Sequence, residues 1–301
     1  MASTRYGVDR GLIARMTGTM FLLGLMYVVL AAALIAFGVG AIAVLAIVGG
    51  MLLVQWWFSD SMAMSAMRAV VVDPEQAPQL HAMVDRLCAM ADMPKPRVAI
   101  ADTDVPNAFA TGRSSSRAVV VVTTGLLRRL DRDELEGVLA HELSHVAHRD
   151  VTVMTIASFT AILAGFMVRS AMWGSMGRDS RNSNAAVLFI AVMVVSALVY
   201  VVSFLLIRAL SRYRELGADR GAATVTGQPS ALASALVKIS GDMAQIPNQD
   251  LRRMEPVSSF ALVPAFAKGR GGGLSALMST HPTLEQRLEQ LARMAAAMGQ
   301  R

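Results

Sequence analysis

The chain has 301 residues, of which 54% are hydrophobic and 17% charged, with 28 Lys and Arg set against 22 Asp and Glu for a net charge of +6. A soluble domain carries about 25% charged residues, and here the shortfall is concentrated: residues 16–59 and 182–207 contain no Asp, Glu, Lys or Arg. That distribution excludes a disordered chain, a collagen-like fibre and a plain soluble globule.

Read as one helix, the uncharged stretch 16–59 would run about 66 Å, twice the ~30 Å hydrocarbon thickness of a bilayer. It therefore reads as two membrane spans, 16–37 and 41–57, with the turn at Gly38-Val39-Gly40 and with Trp56 and Trp57 as interfacial anchors. A mixed α/β segment follows. Residues 78–93 pattern as an amphipathic helix, and the β-branched runs 97–101 and 118–123 as strands, with 107–111 a short strand between them. The lone cysteine, Cys88, can form no internal disulfide and falls on the amphipathic run as a small core residue. A second helix, 131–149, opens at Asp131 with Glu134 three residues on, the pattern of a capping box. Leu135, Val138, Leu139, Leu143 and Val146 then recur at a helical period.

Two further apolar runs, 151–168 and 185–210, predict a second pair of spans. Residues 211–301 read as mostly helix, broken by the glycine-rich stretch 269–273, and 243–273 is the candidate lid. The chain thus divides into an N-terminal hairpin (1–57), a first catalytic segment (58–150), a second hairpin (151–210) and a second catalytic segment (211–301). Lys and Arg number ten in 58–150 and twelve in 208–301, against only Arg169, Arg178 and Arg181 between the third and fourth spans. The positive-inside rule places both termini and both polar segments in the cytoplasm of a cell inner or plasma membrane. The same rule accounts for the basic balance. No Lys/Arg run exceeds two and none is interleaved with aromatics, so the partners expected are a lipid bilayer and polypeptides, not nucleic acid.

The chemistry is carried by His141-Glu142-Leu143-Ser144-His145. Residues i and i+4 share a helix face, so both imidazoles can reach one Zn²⁺, with Glu142 beside them as general base for an attacking water. A catalytic zinc takes three protein ligands. His148 reads as a helix-end histidine favoured by the dipole. The better third ligand is Glu215, with Asp219 one turn on to hold the second ring nitrogen of a ligating histidine. If 151–210 is a membrane hairpin, its ends return to one surface and bring Glu215 back to His145.

These residues resemble the HtpX-type membrane zinc metalloproteases of the Ste24/HtpX peptidase family. The resemblance runs through residues 106–112 (Pro-Asn-Ala-Phe-Ala-Thr-Gly), 122–127, 141–150, 215–219 and 279–282 (Ser-Thr-His-Pro). It implies an α-helical membrane protein with four transmembrane helices and a cytoplasmic α+β zincin-like (gluzincin) domain. By resemblance His141, His145 and Glu215 bind one zinc ion per chain, Glu142 is the general base, and Asp219 supports His141. The stretch Asn107, Ala108, Phe109 and Ala110 becomes a substrate-pairing edge strand, and His281 and Arg287 become substrate-side residues. The residues themselves also read more plainly there, as a short strand and as a helix capped by Thr283 and Gln286. The activity implied is hydrolysis of misfolded or damaged membrane proteins in quality control under stress. Two alternatives stand beside it: a non-catalytic four-span scaffold with a structural metal, and a CAAX prenyl-protein endopeptidase. One departure from relatives is Leu216-Gly217, where glycine inside the ligand helix costs up to about 1 kcal/mol against alanine.

Overall fold

The structure is a computed structural model that describes residues 10–36, 64–112, 114–150, 183–243 and 281–299, together with isolated helical positions at 42, 46, 49, 50, 53, 54, 57, 153 and 154. The expected spans 41–57 and 151–168, the glycine-rich stretch 269–273 and the lid 243–273 fall almost wholly outside the described residues.

Helix α1 (Arg10–Ala36) precedes a four-stranded sheet of β1 (Val70–Val71), β2 (Arg97–Ala101), β3 (Ala108–Thr111) and β4 (Val119–Thr123). The helices are α2 (Pro78–Ala91), α3 (Thr124–Arg129), α4 (Arg132–Ala147), α5 (Ser183–Thr226), α6 (Pro229–Met243) and α7 (Leu284–Ala297). The sheet order is β1-β2-β4-β3, with β2 and β4 parallel and both outer pairings antiparallel, so among the described residues β3 is an edge strand. Alternation along the strands splits the sheet's side chains between two cores. Val98, Ala108, Ala110, Val120 and Val122 face the helices. Ala99, Ala101, Phe109, Val119 and Val121 pack on the other face under Met64, Met67 and Ala69.

Element ends follow local chemistry. The first amphipathic helix stops at Ala91, two residues before expectation, because Asp92 turns left-handed at φ 52° and its N–H closes on the Cys88 carbonyl. Cys88 itself is buried, and burial pushes its thiol up to about 11. Helix α3 went unforeseen. It starts where the Thr123 side chain accepts from the Leu126 N–H, a cap hidden in a run that reads as strand. Strand β1 is two residues, too short to leave a period.

Helix α4 is the hub. From Glu134 to Val146 every residue is buried, against β3, β4, α2, α5 and α6. A helix buried all round must satisfy its own polar groups. The capping box is present, with Asp131 Oδ1 accepting from the Glu134 N–H and Glu134 Oε2 from the Asp131 N–H, both at 3.0 Å. Glu134 also accepts from Ser234 Oγ at 2.6 Å and Lys238 Nζ at 2.7 Å, which docks α6 on the start of α4. Arg86 of α2 pairs with Glu136. At Gly137 the backbone of Leu232 passes 3.1 Å from where a Cβ would stand, so the α4–α6 crossing is set by the lack of a side chain.

The fourth apolar run and the carboxylate segment form one helix, α5, not a span followed by a separate element. Nothing in residues 208–219 breaks it, Gly217 included. Its 44 residues rise about 66 Å. The stretch Met193–Thr226 is long and apolar enough to cross a membrane. Val187, Ile190, Val194, Leu198 and Val201 are exposed along the upper part. Below them Ser211, Glu215, Ala218, Asp219, Ala222 and Ala223 form a buried stripe at helical spacing. Helix α1 packs against the middle of α5 through Leu23, Ile207 and Leu210, and the Arg15 guanidinium lies over the Tyr213 ring.

Gly125 sits where the β4–α3 turn crosses the loop leading into β3. Its N–H donates to the Thr103 carbonyl at 2.8 Å, and a Cβ there would collide with the Asp104 carbonyl. Gly125→Ala is expected to cost about 1–3 kcal/mol of stability. Gly241→Ala, in open space late in α6, is expected to be neutral or to add up to about 1 kcal/mol. Chemical unfolding of the detergent-solubilised protein separates the two. Equal midpoints would show that the Gly125 contact is not limiting.

Candidate metal centre

His141 and His145 lie one turn apart on α4, and their rings meet edge-to-face with centroids 4.8 Å apart. Their Nε2 atoms are 3.2 Å from one another. Glu215 arrives from α5, with Oε2 3.7 Å from His141 Nε2 and Oε1 3.5 Å from His145 Nε2. All three side chains are buried, and their ligand atoms fall within 4.8 Å of one another. A tetrahedral ion with bonds of 2.0–2.1 Å sets neighbouring ligand atoms about 3.3 Å apart. The two imidazole nitrogens, each with one of the two Glu215 oxygens within 3.7 Å, make a donor set that suits a single divalent ion of this kind.

The far side of each ring fixes which nitrogen faces the centre. His141 Nδ1 is 2.8 Å from Asp219 Oδ1, and His145 Nδ1 donates to Asp150 Oδ2 at 2.6 Å. With both Nδ1 atoms committed as donors, both Nε2 lone pairs point at the ion site. Each supporting carboxylate is backed by an arginine. Arg287 of α7 grips Asp219 with two bonds, Nε to Oδ2 at 2.8 Å and Nη2 to Oδ1 at 2.6 Å. Arg214 Nε pairs with Asp150 Oδ1 at 3.0 Å. His281 Nδ1 stands 3.3 Å from Glu215 Oε2.

Glu142 lies between the cluster and the sheet, where its Oε2 accepts from the Ala110 N–H at 2.9 Å. Burial raises its carboxyl above the ordinary carboxylate value, against the pull of His141 and His145. Burial works to lower the His145 pKa, but Asp150 and Glu215 outweigh it and raise the ring to about 10. Burial works to raise Asp150, but the Arg214 charge and the His145 bond hold it at about 2. A divalent cation at the centre would compete with protons for the two imidazoles.

The structure thus brings His141, His145 and Glu215 together and sets Asp219 against His141. Asn107 lies just ahead of β3, where its carbonyl accepts from the Thr123 N–H and its N–H donates to Thr123 Oγ1. Ala108 packs with the helices and Phe109 under the opposite face, and Ala110 reaches Glu142. His281 and Arg287 are buried beside Glu215 and Asp219. His148 caps the C-terminus of α4, with Nδ1 2.8 Å from the Ser144 carbonyl. Sequence reasoning missed Asp150 and Arg214. The signal available was an acid directly after the helix end, five residues past His145, and an arginine adjoining Glu215.

Comparisons with known proteins agree in one direction. The profile described as Peptidase family M48 matches residues 74–295. Protease HtpX homolog 1 of Streptomyces coelicolor is 55% identical over 99% of this chain and 97% of its own. Protease HtpX homolog of Moorella thermoacetica is 51% identical over 98% of each. Among solved structures, S. mikatae Ste24p shares the fold with a TM-score of 0.54 at 17% identity, over 94% of this chain and 67% of its own.

Chelator-stripped protein is expected to take up one Zn²⁺ and to gain about 2.7 kcal/mol of stability at free Zn²⁺ a hundredfold above Kd. His141→Ala and Glu215→Ala should lose both the bound metal and the stabilisation. Asp219→Asn should weaken binding about 10–100-fold. Melting curves and metal analysis on the purified proteins provide the check, and a melt indifferent to Zn²⁺ would refute the centre.

Proposed function

The chain belongs to peptidase family M48, which makes it a membrane-bound metalloprotease, and from that premise we propose a zinc endopeptidase that cleaves misfolded or damaged membrane proteins. In this reading His141, His145 and Glu215 hold the zinc, Glu142 is the general base, and Asp219 orients His141. The observation that carries it is the convergence of two Nε2 atoms 3.2 Å apart and a carboxylate within 3.7 Å of each, with a second, buried carboxylate beside the histidines on the same helix. The donor set of two imidazoles and one carboxylate suits zinc. Held by His141, His145 and Glu215, a bound zinc ion would supply Lewis-acid polarisation of the scissile carbonyl and would lower the pKa of the attacking water.

Glu142 does the proton work. Its raised carboxyl pKa suits a group that takes a proton from water and then hands it to the leaving amine. Its bond to the Ala110 N–H aims it and keeps it beside β3. In an antiparallel edge strand alternate residues turn their backbone groups outward. Asn107 faces β4 and Ala110 faces Glu142, so Ala108 and Ala110 carry the outward row. A substrate segment pairing there would gain backbone hydrogen bonds with little demand on sequence, as suits damaged proteins. Arg287, doubly bonded to Asp219 and with Nη1 3.8 Å from Glu215 Oε2, holds the centre in this scheme, and His281 is buried beside Glu215.

The proposed topology has four spans with the catalytic domain and both termini in the cytoplasm. Its support is the apolar exposed length of α5 and the Lys/Arg asymmetry of the sequence. A scaffold with a structural metal is disfavoured, since family and relatives are peptidases. Full-length identity to HtpX proteases likewise sets the prenyl-protein alternative aside.

Glu142→Ala is expected to keep its zinc while cleavage of an unfolded membrane protein falls about 10²–10⁴-fold. Undiminished cleavage would defeat the assignment of the base. Ala108→Pro removes one outward N–H without touching the β4 ladder, and should lower kcat/KM about tenfold with zinc content unchanged. Unaltered kinetics in that variant would argue that substrate binds elsewhere.

A further inference from the structure

We infer that Asp150 and Arg214 form a positioning pair for His145, one that makes the metal affinity of the centre depend on how the two ends of residues 151–213 are held together. The inference rests on the metal-centre reading above and extends it to two residues outside the ligand motifs.

Helix α4 ends at its cap, His148, and Arg149 then takes a left-handed backbone, φ 56°, which is unfavourable for any residue but glycine. That turn throws Asp150 back beside the last helical turn. There it is buried, with one carboxylate oxygen on His145 Nδ1 at 2.6 Å and the other facing Arg214 Nε at 3.0 Å. A conformation of this kind persists where the surroundings over-determine it, and the contacts of Asp150 supply that constraint.

Arg214 directly precedes Glu215 on α5. The guanidinium that orients the support of one ligand is thus carried by the same turn that carries another ligand. Asp150 is the last residue before 151–213 and Arg214 the first after it, so their ion pair closes that segment like a clasp. His141 is supported differently: its carboxylate, Asp219, lies one turn beyond Glu215 on α5 and is gripped by Arg287 from α7. A shift of α5 relative to α4 would carry Arg214, Glu215 and Asp219 together, but only the support of His145 runs through the ion pair that joins residues 150 and 214.

A double-mutant cycle on the full-length, detergent-solubilised protein tests this. The set is Asp150→Asn, Arg214→Met, the two combined, and Arg214→Lys. Zn²⁺ affinity is read by competition with a chelator, and ligand geometry by the visible absorption of Co²⁺-loaded protein. Melting of the metal-free forms reports folding separately. Arg214→Met is expected to weaken Zn²⁺ binding about tenfold and to change the Co²⁺ spectrum. Arg214→Lys should restore both. Arg214→Met on top of Asp150→Asn should add nothing, since the residue it acts through has already lost its charge. The combined variant removes both buried charges, so it remains informative if Arg214→Met alone folds poorly. Additive losses in the cycle, or an unchanged Co²⁺ spectrum in a folded Arg214→Met protein, would overturn the positioning role and leave the metal centre standing. Failure of the unmutated protein to bind Zn²⁺ would remove the centre itself.

Discussion

Two histidine rings one helical turn apart can serve one ion only if each turns an unprotonated nitrogen toward it. Each ring has two possible donors and two tautomers, and a helix face does nothing to choose between them. The choice is made behind the rings, where Asp219 and Asp150 each take up an Nδ1. Every other feature of the centre depends on those two bonds. They leave both Nε2 lone pairs facing the site they share with Glu215, and they place negative charge where it strengthens the imidazoles as ligands. Isolated buried carboxylates would be costly, and the paired guanidiniums of Arg287 and Arg214 offset that cost.

The rest of the domain is arranged to hold such a cluster in a dry place. Helix α4 is buried on every side, which is unusual for a segment carrying Glu134, Glu136, His141, Glu142 and His145. It is tolerated because each polar group finds a partner on a neighbouring element: Lys238 and Ser234 on α6, Arg86 on α2, the Ala110 N–H on β3. Stability and chemistry thus share one set of contacts. The bond that satisfies buried Glu142 is also the bond that aims it along the edge strand.

The long helix α5 joins two environments. Its upper turns expose valine, leucine and isoleucine, and its lower turns bury a stripe that includes Glu215 and Asp219. With no break between the two parts, the direction of the helix is transmitted rigidly from one to the other.

Sequence alone determined the parts whose physics is local. The i, i+4 spacing of His141 and His145, the capping box of Asp131 and Glu134, the three main strands and the pairing of Glu215 with Asp219 all act within a few residues. They could be read without coordinates. The ends of elements were less legible, because Asp92 and Thr123 terminate or start helices by geometry that their residue types permit but do not require. Tertiary structure alone decided the unbroken course of α5, the register of β3 and, above all, the placement of Asp150, Arg214 and Arg287 against the ligand cluster. An aspartate after a helix end or an arginine beside a glutamate reads as a solvated charge until the fold buries it. Only the approach of α4, α5 and α7 creates the low-dielectric interior in which those charges must pair, and in pairing orient the rings.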